Sequence, residues 1–287
     1  MKIVNSTGVL DERFGTREAV KMLCEAGFEG IDYSMCSGLD KPVYSDTWRA
    51  ELREDMKIAA SFGASFSQTH GPIPSYQLDD KAARERFMDA ARRSVEATAE
   101  LGAEYLVFHP MRVARGSHED QLEINLNEYM PLVEMANGCG VTVAFENMCN
   151  YKLNEFGEPV KHVCKSAEEH AKYIDAFGHG VVACLDTGHA TLSAEEPCEF
   201  ARMLGKRLRC LHVHDNMGVK DDHSIPYNMS IKFEPLIGAL RDIDYCGDLT
   251  LECNYFLRPS VPNELCAPAL RYMAAVADYM RNKITAK

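Results

Sequence analysis

Residues 181–189 read VVACLDTGH: five apolar residues, an aspartate, a Thr–Gly step and a histidine. The run starts β-branched, stays apolar and ends too soon for a buried helix, which is the pattern of a parallel strand covered on both faces. Its two reactive side chains, Asp186 and His189, stand where that strand gives way to the next segment. The arrangement recurs: SFSQTH ends at His70, YLVFH at His109, TVAFE at Glu146, RCLH at His212 and LTLE at Glu252, while KDDH adds Asp221 and His223. Reactive groups gathered at the ends of successive buried strands are what a (β/α)8 barrel uses to build its active site.

The rest of the chain keeps that period. Strand candidates fall at 2–5, 29–33, 64–69, 104–108, 141–145, 181–185, 209–213 and 248–252. Between them lie helical stripes, such as Phe87, Ala91, Val95 and Ala99, or Leu270, Met273, Ala277 and Met280, which should pack on the outside of the barrel. Gly27, Gly63, Gly102 and Gly140 precede strands two to five and mark helix ends. Three connections are long, 6–15, 147–165 and 214–231; each follows a strand, so each would rim the pocket, and the middle one, with Tyr151 and Phe156, suits a substrate lid.

A chain of 287 residues fits one domain, 1–287, slightly larger than the roughly 250 residues usual for this barrel. The net charge of −12 opposes a nucleic-acid partner, because that affinity rests on Lys and Arg neutralising phosphates. Eleven cysteines, odd in number and without a CxxC pair, read as buried free thiols in a reducing compartment. MKIVNSTG is no signal peptide and no stretch is apolar enough to span a membrane, so a cytoplasmic protein is expected.

Glu146, Asp186 and Glu252 end strands five, six and eight, and His212 ends strand seven. Three carboxylates at one barrel mouth repel one another unless a divalent cation joins them, and with an imidazole they suit Mn2+, Co2+, Mg2+ or Zn2+. The competing reading is that each acid separately caps a helix or binds a loop amide. HDN at 214–216 lacks any nucleophile elbow to serve. His118, His162, His170 and His179 read as solvated. Tyr227 and Phe233 read as loop packing ahead of sugar stacking.

CLDTGHA, CLHVHDN, the DxH at 221–223, the LEC of strand eight and the early AGFEGID together resemble the xylose isomerase-like barrel superfamily over essentially the whole chain. That superfamily holds sugar isomerases and epimerases, inosose dehydratases and endonuclease IV. The resemblance implies a single divalent ion, Mn2+ first, held by Glu146, Asp186, His212 and Glu252. It also implies proton exchange by Glu146 and Glu252 next to a carbonyl, through an enediolate that the ion stabilises. His70, His109, His189 and His223 would face sugar hydroxyls, and His214, where many relatives carry lysine, would line the pocket. The alternative ligand use is a multinuclear centre, with His70, His109, His189, Asp221 and His223 holding further ions.

The expected function is therefore a metal-dependent isomerase or epimerase of a sugar or polyol, in a chain that leaves homo-oligomers open. A dehydratase or lyase on the same barrel is the alternative, and an endonuclease IV-like hydrolase is opposed by the acidic charge. Two features depart from the resemblance: YNMSIKF replaces a glycine-rich turn after DDHSIP, and no glycine-rich phosphate cradle or arginine cluster is evident.

Overall fold

Alternation along each apolar run puts one set of side chains towards a common lumen and the other under the helices. The strands are β1 (Ile3–Ser6), β2 (Gly30–Ser34), β3 (Ser65–His70), β4 (Tyr105–Phe108), β5 (Thr142–Glu146), β6 (Val181–Asp186), β7 (Leu208–His212) and β8 (Leu249–Leu251). A computed structural model describes residues 1–36, 38, 40–74, 80–111, 117–149 and 163–286. The helices are α1 (Gly8–Phe14), α2 (Thr16–Ala26), α3 (Trp48–Ser61), α4 (Lys81–Leu101), α5 (His118–Gly138), α6 (Ala167–Phe177), α7 (Thr187–Leu192), α8 (Pro197–Leu204), α9 (Phe233–Asp242) and α10 (Asn263–Thr285).

All pairings are parallel and the order is β7-β6-β5-β4-β3-β2-β1-β8. The ring closes where Val213 bridges Leu251, with the Val213 N–H donating to Thr250 O at 2.9 Å and the Glu252 N–H to Val213 O at 3.1 Å. The fold is the (β/α)8 barrel expected from the strand period.

Two register shifts set which side chains enter the lumen. Between β2 and β3 the pairing steps from Ile31↔Phe66 to Asp32↔Gln68, leaving Ser67 over; between β6 and β7 it steps from Ala183↔Leu208 to Cys184↔Cys210, leaving Arg209 over. One extra residue reverses the phase of a strand. Phe66 thus meets Tyr33 on the outer face, with ring centroids 5.8 Å apart, whereas Gln68 meets His212 across the lumen. Below the site the lumen is plugged by Val107, Ala144, Cys184 and Cys210. The larger core lies between strands and helices and includes Leu270, Met273, Ala277 and Met280 of α10, all fully buried.

The four helix-ending glycines all have positive φ, from 69° to 98°. Segment 6–15 is not the long loop expected: it folds into α1, whose Leu10 is fully buried in the core. Of the loop 147–165, residues 150–162 lie outside the described residues, and with them the lid suggested by Tyr151 and Phe156, as well as His162; the His118 side chain does too. Segment 214–231 is a loop pinned from within: the buried Asp215 carboxylate accepts the N–H groups of Met229 (2.7 Å) and Ile231 (3.0 Å).

No described helix is long and apolar enough to cross a membrane. Among the cysteines Cys24, Cys149, Cys164, Cys184, Cys198, Cys210, Cys253 and Cys266 are buried, Cys36 is half-buried, Cys139 and Cys246 are exposed, and all are free.

Candidate active site

Glu146, Asp186 and His212 are the last residues of β5, β6 and β7, and Glu252 follows β8 directly. One ligand atom from each lies within 4.8 Å of the others. His212 Nδ1 is 3.0 Å from Glu146 Oε2 and 3.6 Å from Glu252 Oε2. Glu146 is 1% exposed and Glu252 23%, so the first closes the bottom of the cluster and the second faces the mouth. Asp186 also caps α7, accepting the His189 N–H at 2.6 Å. The capping and clustering readings of this acid therefore both hold.

The histidines surround Glu146. His70 and His109 place Nε2 at 3.5 and 3.4 Å from Glu146 Oε2, and at 3.2 Å from each other. His189 Nδ1 donates to Asn147 O at 2.8 Å and passes 3.3 Å from Glu146 Oε1, and its Nε2 is 3.5 Å from Asp221 Oδ2. His223 donates from Nδ1 to Glu252 O at 2.7 Å and turns Nε2 to Asp221 Oδ2 at 3.0 Å. Its φ of 44° is left-handed, a conformation disfavoured for residues with a side chain and concentrated at functional positions. His214 is fully buried, its Nε2 3.0 Å from both oxygens of Asp186 and its ring stacked on His223 at 3.9 Å. His214, Asp221 and His223 form a second group with ligand atoms within 4.8 Å.

Charge in this pocket is shared between acids and imidazoles. Burial alone would raise the Glu146 carboxyl, but His212 and His109 outweigh it and hold it well below the usual carboxylate range. Asp186 is lowered too, as His189 and His214 overcome burial. Burial would lower His212, yet Cys184, Glu252 and Glu146 push it well above the usual imidazole range. His223, opposed by burial but bonded to Asp221 and facing Glu252, rises to about 9. His70 rises to about 10 because Cys36 and Glu146 overcome burial, while burial wins at its neighbour His109, which falls. Several imidazoles thus stand in as cations beside carboxylates that are held ionised.

Some site residues carried no signal in the strand-end pattern. Asp32 of β2 is completely buried and lies 3.2 Å from His212 Nε2. An acid inside the apolar candidate 29–33 was the available clue, since a buried charge needs a partner. Asn147 grips Asp186 by both backbone groups, at 2.6 and 3.0 Å. Tyr255 lays its ring against His223 at 4.2 Å. Tyr227, by contrast, packs on Phe233 and Tyr279 and bonds Glu234, as loop packing requires.

Of the remaining histidines, His179 is exposed just past α6, whereas His170 is not solvated as its sequence suggested. His170 is fully buried and its Nε2 donates to Phe145 O at 2.9 Å, because it belongs to the apolar stripe of α6 with Ala167, Ala171 and Ile174.

The profile of the xylose isomerase-like TIM barrel family matches residues 20–282, and the chain belongs to that family. It is 27% identical to an uncharacterised protein of Methanocaldococcus jannaschii over 220 residues, covering 75% of this chain and 70% of that one. It is 25% identical to an inosose dehydratase of Clostridium botulinum, covering 86% and 84%. Among solved structures, a D-tagatose 3-epimerase-like protein superposes with a TM-score of 0.76 at 20% identity, over 99% of this chain and 100% of that one.

Proposed function

We propose that this protein is a metal-dependent isomerase or epimerase of a sugar or related polyol, moving a proton at the carbon next to a carbonyl. The observation that carries the reading is the cluster of Glu146, Asp186, His212 and Glu252 at the lumen mouth, overlooked by the ring nitrogens of His70, His109, His189 and His223. Three hard oxygen donors and one imidazole fit a divalent ion such as Mn2+, and Zn2+, Co2+ or Mg2+ meet the same donor set. When bound, such an ion would supply Lewis acidity that eases negative charge on a carbonyl oxygen and its neighbouring hydroxyl.

The protein's own groups do the rest. Glu252, the more open carboxylate, takes the proton from the carbon next to the carbonyl, and Glu146 passes one to the other face that it draws from the cationic His70 beside it, 3.5 Å away; solvent then restores both groups. Delivery to the opposite face epimerises, and delivery to the adjoining carbon isomerises. His109 and His189 hold substrate hydroxyls through ring nitrogens, and His70 and His223 do so from the two sides. No Lys or Arg among the described residues pairs with these acids, which suits an uncharged polyol over a phosphate ester.

The D-tagatose 3-epimerase-like neighbour supports this class, and the inosose dehydratase relative supports a second reading, in which the same deprotonation expels a neighbouring hydroxyl as water. Incubating free ketoses, aldoses and inososes with the protein and Mn2+ in D2O separates them. Exchange of the proton next to the carbonyl with retention of mass formula is expected. A dehydrated product would favour the second reading, and no reaction with any polyol would sink both.

A further inference from the structure

In its neutral form an imidazole carries one ring hydrogen, and backbone contacts fix its place alike in three rings of the site. His70, His189 and His223 each place Nδ1 on a backbone carbonyl, of Gly71, Asn147 and Glu252, at 2.9, 2.8 and 2.7 Å. Their Nε2 atoms are thereby left facing the pocket. His212 is reversed: its Nδ1 faces Glu146 and Glu252, and its Nε2 points away from the mouth to Asp32 Oδ2 at 3.2 Å.

Asp32 reaches His212 from the far side of the lumen, where the β2–β3 register shift at Ile31/Asp32 admits its side chain. Among the described residues, neither carboxylate oxygen has a hydrogen-bond partner of good geometry, the residue is fully buried, and its recorded charged contact is His212 Nε2 at 3.2 Å. A charge so placed is strongly destabilising unless the one group beside it supplies a hydrogen. The His212 Nε2 is that group. A neutral imidazole has one hydrogen, so fixing it on Nε2 leaves the Nδ1 lone pair for a ligand.

Gln68 accommodates this choice. In the structure its amide Nε2 is 3.0 Å from His212 Nε2, and its Oε1 accepts from Thr250 Oγ1 at 3.1 Å. Turning the amide presents its oxygen to Nε2–H, and the Thr250 hydroxyl accepts or donates in either orientation.

We infer that Asp32 is the positioning residue of the site, locking His212 in the tautomer that offers Nδ1 to the divalent ion and strengthening that nitrogen as a donor. The inference rests on the metal-dependent reading proposed above. A carboxylate behind a ligating imidazole raises its basicity and fixes its plane, which a backbone carbonyl does less strongly. The polarised ring is the one belonging to the carboxylate cluster, and the three carbonyl-held rings look onto the substrate space.

The test compares the protein, stripped of metal and titrated with Zn2+ against a fluorescent chelator, with Asp32→Asn and Asp32→Leu. Zinc affinity is expected to fall about 10–100-fold in Asp32→Leu and less in Asp32→Asn, whose amide oxygen still accepts the hydrogen. In 15N–1H spectra of the zinc-loaded wild type, His212 should show a zinc-bound Nδ1 and a far-downfield Nε2–H resonance that moves upfield in Asp32→Asn. Should Asp32→Leu fail to fold, the Asp32→Asn spectrum decides alone. Unchanged affinity together with an unmoved His212 resonance in Asp32→Asn would overturn the role of Asp32 while leaving the metal reading intact. A wild type that binds neither Zn2+ nor Mn2+ would overturn both.

Discussion

Two histidines buried to the same degree behave in opposite ways on the two sides of the barrel wall. His170, in the helix layer, has one carbonyl partner among apolar neighbours, and burial drives it down to about 4. His212, in the lumen, is equally inaccessible, but Cys184, Glu252, Glu146 and Asp32 outweigh burial and drive it far up. Burial alone therefore says nothing about the charge of an imidazole; the acids within hydrogen-bonding distance decide it. The outer layer uses its histidine as a neutral donor that ties α6 to β5, whereas in the lumen the charged groups around them raise His70, His189, His212 and His223.

The largest effect that would break this contrast belongs to the lumen. Glu252→Gln should lower turnover of an active polyol about 10²–10⁴-fold, the usual contribution of a general base, with the barrel intact by circular dichroism. Near-normal turnover by that variant would remove Glu252 from proton transfer.

The outer layer should respond through stability instead. His170 is neutral in the fold with its pKa near 4, against 6.5 when unfolded, so in that window the unfolded chain binds the extra proton and stability falls as pH drops. The loss amounts to about 3 kcal/mol between pH 6.5 and 4. Denaturant midpoints across this range should show the slope in the wild type and a flatter profile in His170→Gln; equal slopes would mean that His170 is not the group titrating.

A smaller effect probes the seam between the two layers. A Cβ on Gly188 would lie 1.9 Å from His214 Cε1, and that ring is stacked against His223 and cannot withdraw freely. Gly188→Ala should cost about 1–3 kcal/mol of stability and weaken metal binding by displacing His214 from Asp186. Thermal melts with and without added Mn2+ measure both; an unaltered melt in each would show that the ring yields.

The contrast also explains what was legible in the sequence. Strand ends are readable because each buried run stops abruptly at a charged or imidazole residue, and the pattern places Glu146, Asp186, His212 and Glu252 at one barrel mouth. His170 reads as solvated from its sequence, although its spacing with Ala167, Ala171 and Ile174 follows the buried face of α6. Asp32 was passed over because it stands inside a strand and not at its end. Its partner comes from β7 across the lumen, and such a pairing depends on register shifts that leave no local pattern. Segment 6–15 reads as a long connection after strand one, yet Val9 and Leu10 bury enough to hold a helix within it.

The lumen half of the contrast is tested most directly by a search for metal. Elemental analysis of undialysed protein, combined with anomalous scattering across the metal edges in its crystals, should reveal one divalent ion bounded by Glu146, Asp186, His212 and Glu252. Glu146→Gln and Asp186→Asn should each lower its occupancy. A wild type without any ion at this cluster, or full occupancy retained in both variants, would contradict the assignment.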